Sequence, residues 1–540
     1  MAVVGKNSER GGKIWIALCG AALAAILVLM AVPAYLLVEN SLGVLWPGRL
    51  ERVRLLDGGV FLGRRTNSDL SPEGLVRIQY KVGNRELNAS ADFRWIREND
   101  IAGIDFPEGA AALTRRERGE FFGFLADNPE NGTEAGPAAE EAFLLKLAAY
   151  RRRWDAEAEP LKRRLAELGE DWREANLAVL KADYENRKTG AAEDGRLAAL
   201  RAAEEGIKAE SERVLAVFNA AKAEFLTEKA VFLIADSTPA ALPLDSIMEA
   251  VWPNRLDFFG KLRLFGKNIR NLLLDYPREA NTEGGLFPAI FGTVLLVFLM
   301  AVSAFPLGVA AGVYIREYAG DGTLSRLARV AVNNLAGVPS IVYGIFGLGF
   351  FIYGVGGTLD RLFYPERVEV GVNTFGGGGI LWSSLTLGLL TLPVVIVATV
   401  EALATVPTEI RQGSLALGAT RFQTLWRVIL PMASPGILTG FILAMARAAG
   451  EVAPLMLTGA VKSAHLLPLD GKWPFAHLER KFMHLGFHIY DMGFQSPNVE
   501  AAKPMVYLTA LVLLILVFVL NLAAILIRQH MRGRHAMKGF

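Results

Sequence analysis

From Ile14 to Val38 the sequence carries no charged side chain, a run long enough to cross a bilayer as a helix. About 20 mostly apolar residues, at 1.5 Å each, match a hydrocarbon core about 30 Å thick. Four more apolar runs follow in the second half, at 286–315, 380–400, 433–461 and 504–527. A fifth, 330–356, is rich in glycine and interrupted by Asn333, Asn334, Pro339 and Ser340. Such residues are tolerated in spans whose backbones are covered by neighbouring helices. Six transmembrane helices are therefore expected, in an all-α polytopic membrane protein with a large insert. Lys6, Arg10 and Lys13 precede the first run, as basic residues precede a signal peptide. That run outlasts the roughly 7–15 apolar residues of a signal peptide, so 14–38 reads as a retained anchor after a short tail, 1–13.

Composition agrees with this class. Hydrophobic residues make up 52% and charged ones 21%, on the membrane side of soluble averages. The 57 basic and 55 acidic residues nearly cancel, which leaves no footprint for nucleic acid. The single cysteine, Cys19, lies inside the first apolar run and excludes an intrachain disulfide framework and a cysteine zinc site.

Lys and Arg are biased toward one side of the spans. Segments 1–13, 316–329, 401–432 and 528–540 hold 13 of them, against 7 in 357–379 and 462–503. Basic loops stay in the cytoplasm, so both termini are expected inside and residues 39–285 outside. That outer block has two compositions. Residues 44–110 alternate short apolar runs with turn signals, as in Gly74 to Gly83, and read as a β-rich unit. Residues 140–230 are charge-rich, with apolar side chains spaced by four and three. The first series is Phe143, Leu147, Tyr150, Trp154, Ala158, Leu161, Leu165, Leu168 and Trp172; the second is Ile207, Val214, Phe218, Ala221 and Phe225. The turn from Thr189 to Gly195 between them predicts an antiparallel helical hairpin with coiled-coil-like packing. Pro160 should bend its first arm.

Few residues carry chemistry. There is no G-x-x-x-x-G-K-[ST] loop for nucleotide phosphates, so any ATP use belongs to another subunit. No catalytic constellation and no cofactor site is expected. His484 and His488 stand at metal-binding spacing with His477 and His465 nearby, but no acidic or cysteine ligand matches, and they read as ordinary loop histidines. Arg447 and Glu451 are different. They interrupt the run 433–461 near its middle, where a charge costs roughly 2.5–3.5 kcal/mol on insertion scales. At i,i+4 they share one helical face. They form either an ion pair packed into the bundle or an anion station. In the second case the guanidinium fork would grip an oxyanion through two oxygens. Glu451 would hold it in the empty state, and Gly450 would admit a close approach.

The cytoplasmic segment 401–432 reads EALATVPTEIRQGSLALGATRFQTLWRVILPM. It resembles the coupling segment of ABC-importer permeases, whose signature is E-A-A, three residues, Gly, and later an aliphatic-x-Leu-Pro ending. Aligned on Gly418, the ending falls on Val428, Leu430 and Pro431, while Gln412, Gly413 and Ser414 stand where E-A-A is usual. A short helix with exposed Leu415 and Leu417, a turn at Gly418 and then Phe422 suits a helix-in-groove contact. The plain alternative is an amphipathic surface helix between two spans.

Five further stretches extend the likeness: Ala289 to Val294; Pro306 to Tyr314 with Glu317-Tyr318-Ala319; Val338 to Gly344; Thr391 to Ile396; and Ala446 to Leu455. Together they resemble the PstA-type permease subunits of phosphate ABC importers, over about 286–527 plus the anchor. The block 39–285 is an insertion relative to minimal members. The resemblance implies a transporter subunit and not an enzyme, placed in a bacterial inner membrane, with residues 39–285 periplasmic. Its implied partners are a homologous permease of the PstC type, a dimer of ABC ATPase subunits and a periplasmic phosphate-binding protein. Its implied substrate is inorganic phosphate, passing Arg447, Glu451, Gly450, Ser340 and Tyr343. Sulfate or molybdate permeases are near rivals, and a membrane sensor or scaffold built on the outer domain, or a passive anion channel, stays open.

Overall fold

In a computed structural model, which describes residues 2–70, 74–85, 92–128, 133–190, 195–320, 322–464 and 466–536, the first apolar run lies inside helix α1, Ala2–Leu45. Leu42, Val44 and Leu45 keep it apolar beyond Val38, and Pro47 disfavours helix in the residue before it. Cys19 is exposed on this helix.

Two antiparallel sheets follow. The first runs, edge to edge, Phe93–Arg97, Val76–Lys81, Val60–Leu70, Glu51–Leu55 and Ile101–Asp105. Its buried face is Val53, Phe61, Ile78, Tyr80 and Ile96. The second runs Pro239–Pro243, Lys229–Leu233, Glu120–Asn128, Ala110–Arg115 and Ile247–Val251, with Thr133–Glu134 added beside Glu120–Asn128. Strands thus continue well past residue 110, where the β-rich unit was expected to stop. The second sheet escapes pattern reading because Phe121 and Phe122 are both fully buried, so its strands do not alternate.

The chain leaves this sheet to form helices α2, Pro137–Thr189, and α3, Gly195–Thr227, and returns with Leu233 paired to Phe124. The arms are antiparallel, since Arg164 reaches Glu210 (2.7 Å) and Arg201 reaches Asp183 (3.2 Å). At the base Phe143, Leu147, Tyr150, Trp154 and Phe225 pack onto Phe121, Phe232 and Leu242 of the sheet. Farther out the apolar stripe thins, and Trp172 is 40% exposed. Helix α2 runs through Pro160 without ending. Ala156, whose carbonyl loses its partner there, is exposed and can be hydrated. Gly190 closes α2 in the left-handed region (φ +64°); residues 191–194 of the expected turn lie outside the described residues. Helix α4, Phe258–Leu274, leads toward the membrane core.

The core comprises α5 (Phe287–Val313, prolonged by a π-type turn to Tyr318), α6 (Thr323–Leu335), α7 (Ser340–Phe346), α8 (Gly357–Phe363) and α9 (Pro365–Glu369). It continues with α10 (Ile380–Ala404), α11 (Thr408–Ala416), α12 (Arg421–Thr424), α13 (Leu430–Gly450), α14 (Ala453–Thr458), α15 (Leu485–Tyr490) and α16 (Val499–Ala536). Among the described residues six helical stretches are long and apolar enough to cross a membrane: Trp15–Leu45, Phe287–Tyr318, Ser340–Phe363, Ile380–Ala404, Arg421–Gly450 and Val499–Gln529. Helix α10 lies between α5 and α13, with Leu387, Leu390 and Val395 buried. A Cβ on Gly440 of α13 would fall 2.0 Å from the Ala398 Cβ. Small residues let membrane helices approach this closely.

Two spans differ from expectation. The stretch expected over 330–356 begins at Ser340, because Pro339 ends the preceding structure and starts α7; Asn333 and Asn334 belong to α6. The stretch expected over 433–461 runs instead from Arg421, inside the segment expected to lie outside the span, to Gly450. Pro454 lies four residues on, and in a continued helix its ring would clash with the Gly450 carbonyl.

The sheets and hairpin sit on this core at several points. Gln79 donates to Glu500 at the start of α16 (2.7 Å), and Asn281 donates to the Lys462 carbonyl (2.8 Å). Lys81 bridges Glu120 (2.9 Å) and Glu283 (3.4 Å). Burial pushes the Glu120 carboxyl up, but Arg64 and Lys81 outweigh it and hold it down at about 2. The outer half of the hairpin folds back over core loops, through Arg187 to Glu369 (2.9 Å) and Glu170 to Lys472.

Candidate substrate path and coupling segment

Arg447 occupies the last turn of α13, and Glu451 follows it in extended conformation (φ −77°, ψ 132°). The expectation of a mid-span pair on one continuous helix is corrected: the pair brackets a helix end. Arg447 Nε donates to Glu451 Oε1 at 3.2 Å. The arginine side chain is 41% exposed and the glutamate 20%. On the other side of the helix Ala448 and Ala449 are fully buried in a cluster with Tyr343, Leu296, Leu387 and Leu455. One face of this helix end is therefore packed and the other, with Arg447 and Gly450, is open. A Cβ at Gly450 would meet nothing within 4 Å, so among the described residues no other element crowds it.

Tyr343 is brought to this place. Its ring is buried, its hydroxyl donates to the Leu335 carbonyl (2.7 Å), and the Arg447 charge bears on it. Ser340 lies one turn earlier on the same helix, half-buried, and no hydrogen bond among the described residues ties it to Arg447.

The segment 401–432 folds as α11, a turn, and α12 running on through Leu425–Ile429 into α13. Gly418 makes the turn at φ +85°, a region that side-chain-bearing residues avoid. Thr420 and Gln423 then cap α12 reciprocally. Leu425, Ile429 and Ala433 anchor the unit beneath Ala402, Leu403 and Val406. Its other side is bare: Leu417 is 91% exposed, Phe422 and Trp426 are each 64% exposed, and their rings stack at 6.3 Å. Leu415 is exposed as well. Gln412 and Gly413 are exposed, while Ser414 shares a hydrogen bond with Thr424 (2.9 Å). Val428, Leu430 and Pro431 are half-buried in the run into the membrane.

Two features escaped the sequence reading. Arg411 pairs with Glu317 (2.6 Å) and reaches the Leu403 carbonyl (2.5 Å), tying α11 to the end of α5. Trp426 doubles the exposed aromatic surface of Phe422, and their i,i+4 spacing was a usable signal.

The histidines at 484 and 488 are not loop residues on the surface. Both are buried; His484 Nδ1 accepts from the Gly486 amide (3.1 Å), and His488 Nδ1 meets the Thr509 hydroxyl (3.2 Å). Burial pushes His484 down to about 3; burial and then Lys462 push His488 down to about 4. His477 contacts Asp470 (3.1 Å), and His465 lies outside the described residues. Among the described residues no group of three or more His, Cys, Asp or Glu could hold a metal ion.

Comparison with known proteins bears on the same core. The family model described as binding-protein-dependent transport system inner membrane component matches residues 304–533. The phosphate transport system permease protein PstA 1 of Mycobacterium tuberculosis (strain CDC 1551 / Oshkosh) is 37% identical over 247 residues, 45% of this chain and 71% of that protein. The probable ABC transporter permease protein YqgI of Bacillus subtilis (strain 168) is 32% identical over 249 residues, 45% of this chain and 76% of that protein. Among solved structures, the inward-facing MetNI methionine ABC transporter aligns with 46% of this chain and 95% of its own, at 20% identity and a TM-score of 0.34. The match to the Mycobacterium protein spans most of that protein's length at this identity, and the family model falls on the helices from α5 to α16. The chain therefore belongs to the inner membrane components of binding-protein-dependent transport systems, as a multi-pass, PstA-type permease subunit and not an ATP-hydrolysing one.

Proposed function

We propose that this chain is the permease of an ATP-driven importer of inorganic phosphate. The observation that carries the reading is Arg447: a permanent cation at a helix end, gripped among the described residues through Nε alone and open on one face. The Nη pair left over can meet two oxygens of an oxyanion at once. Relatives named as phosphate permeases support the choice of anion. The open face with Arg447 and Gly450 would meet a homologous permease of the PstC type, and the path would run between the two, past Ser340 and Tyr343. Exposed Leu415, Leu417, Phe422 and Trp426 would dock into a dimer of ABC ATPase subunits. Both termini would be cytoplasmic and residues 39–285 periplasmic, where the phosphate-binding protein delivers its ligand.

The test is ATP-dependent phosphate uptake by the reconstituted complex. Arg447→Ala should abolish uptake while the complex still assembles. Arg447→Lys should be impaired too, because a point charge does not replace the fork. Full uptake in both variants would reduce the pair to a packing feature, and preference for sulfate or molybdate would move the substrate.

A further inference from the structure

Helix α4 is the last helix before the chain enters the membrane as α5. Asp257 caps it by accepting from the Gly260 amide (2.7 Å). Its inner side, Phe265, Ile269 and Leu272, packs on Leu45 at the end of α1, Leu286 and Ala289 at the start of α5, and Met505 and Leu508 near the start of α16. Three membrane helices begin or end at this place. Helix α4 is therefore held level with one surface of the bilayer.

Its outer side is uncovered. Phe259 is 75% exposed, Leu262 47% and Leu274 58%, with Leu273 exposed beside them. At 3.6 residues per turn Phe259, Leu262 and Leu273 share one face, continuous with the packed one. The helix carries four basic residues and no acidic one. Lys267 is engaged by Glu249 (2.8 Å), but among the described residues Arg263 and Arg270 form no ion pair, and both are exposed. Around the helix they follow directly after Phe259, at the border of the apolar arc that runs from Phe259 through Leu273 and Leu262 to the packed residues. Next to it Trp46 contacts the rings of Phe258 (6.2 Å) and Phe265 (5.7 Å). Tryptophan is enriched where hydrocarbon meets water.

We propose that α4 lies in the bilayer interface, with Phe259, Leu262 and Leu273 in the acyl boundary. Arg263 and Arg270 bind phosphates of anionic lipid headgroups. A helix with one apolar face and a basic edge takes this position, and its affinity depends on anionic lipid. Continuity with the membrane helices favours lipid over a protein as the occupant. The contact clamps the soluble domain to the membrane independently of what is transported.

The experiment uses the full chain in nanodiscs of phosphatidylcholine, with or without phosphatidylglycerol. In a Cys19→Ser background, Phe259→Cys, Leu273→Cys and Val217→Cys are each labelled with an environment-sensitive fluorophore; Val217 is an exposed position on α3. Shallow nitroxide lipids should quench the label at 259 and 273 severalfold more than at 217, and more strongly with phosphatidylglycerol present. Arg263→Glu with Arg270→Glu should remove the dependence on phosphatidylglycerol, and the double lysine variant should keep it. Equal access of aqueous iodide at all three sites, without lipid quenching, would overturn the proposal. So would shielding at 259 and 273 that arises only when the other subunits are added. Quenching that is the same in both lipids would overturn the anionic headgroup contact.

Discussion

Arg447 sits where a helix ends, and the partial negative charge of the last carbonyls favours a cation there. Its pairing with Glu451 is half-open to solvent, so it escapes the full desolvation cost of a dry ion pair. Glu451 then has a second use. Near neutral pH phosphate keeps at least one proton, and a carboxylate can accept a hydrogen bond from that P–OH. Sulfate offers no such donor and would leave a charged acceptor unmatched, at a cost of about 1–3 kcal/mol. Glu451→Gln keeps the shape and removes the charge. In a complex that transports without its binding protein, it should let sulfate compete better with phosphate; unchanged competition would make Glu451 an orienting residue only. The buried histidines give a prediction of another kind. Unfolded histidine titrates near about 6.5, and His484 and His488 are held down at about 3 and about 4. The unfolded chain therefore binds more protons as pH falls below about 6.5, and the stabilisation present above that value is lost toward the lower ones. Between about pH 7 and pH 5 the thermal midpoint in detergent should fall less for His484→Gln with His488→Gln than for the unmodified chain.

At the scale of single elements, the coupling unit separates folding from docking. Leu417 touches almost nothing in this chain, so Leu417→Ala should leave the melting midpoint in place while weakening capture of the ATPase subunit. Gly418→Val acts differently, since a branched residue at φ +85° costs about 1–2 kcal/mol. It should distort the turn and uncouple ATP hydrolysis from uptake. Normal coupling in both variants would remove docking from 401–432. The spans were the most legible elements, because a long apolar run is the strongest pattern a sequence holds. Their ends were less so. Hydropathy carried the expected span on to residue 461, whereas Gly450 and Pro454 stop the helix at 450, a backbone effect that hydropathy ignores. The first sheet announced itself by alternation; the second, with Phe121 and Phe122 buried on both faces, did not. Arg447 and Glu451 were legible as two charges four residues apart in an apolar run. The Arg411–Glu317 pair was not, since its partners stand 94 residues apart and join only once α5 and α11 meet.

For the whole molecule, the question is whether the domain between α1 and α5 takes part in transport. Its base is fixed: α2 and α3 share a core with the second sheet through Phe143, Trp154 and Phe225, so removing all of 140–230 would expose that sheet. Its outer half is held differently. It reaches the core loops through the exposed pairs of Arg187 with Glu369 and Glu170 with Lys472, and pairs of this kind contribute about 0–1 kcal/mol each. A latch this weak can open when a binding protein needs the surface beneath it. Arg164 and Glu210 face each other across the arms (2.7 Å), which makes them a natural splice point. Replacing residues 165–209 by a short glycine-rich turn removes both latching residues and takes Leu168, Ala182 and Leu197, the buried apolar side chains of the outer half, away together. The shortened chain should insert, keep phosphate uptake, and shift the binding-protein concentration needed for half-maximal uptake by up to about thirtyfold. Arg187→Glu alone should shift it in the same direction by less. Complete loss of uptake in the inserted, shortened chain would mean that the hairpin belongs to the transport cycle itself, and an unshifted concentration would mean that the binding protein docks elsewhere.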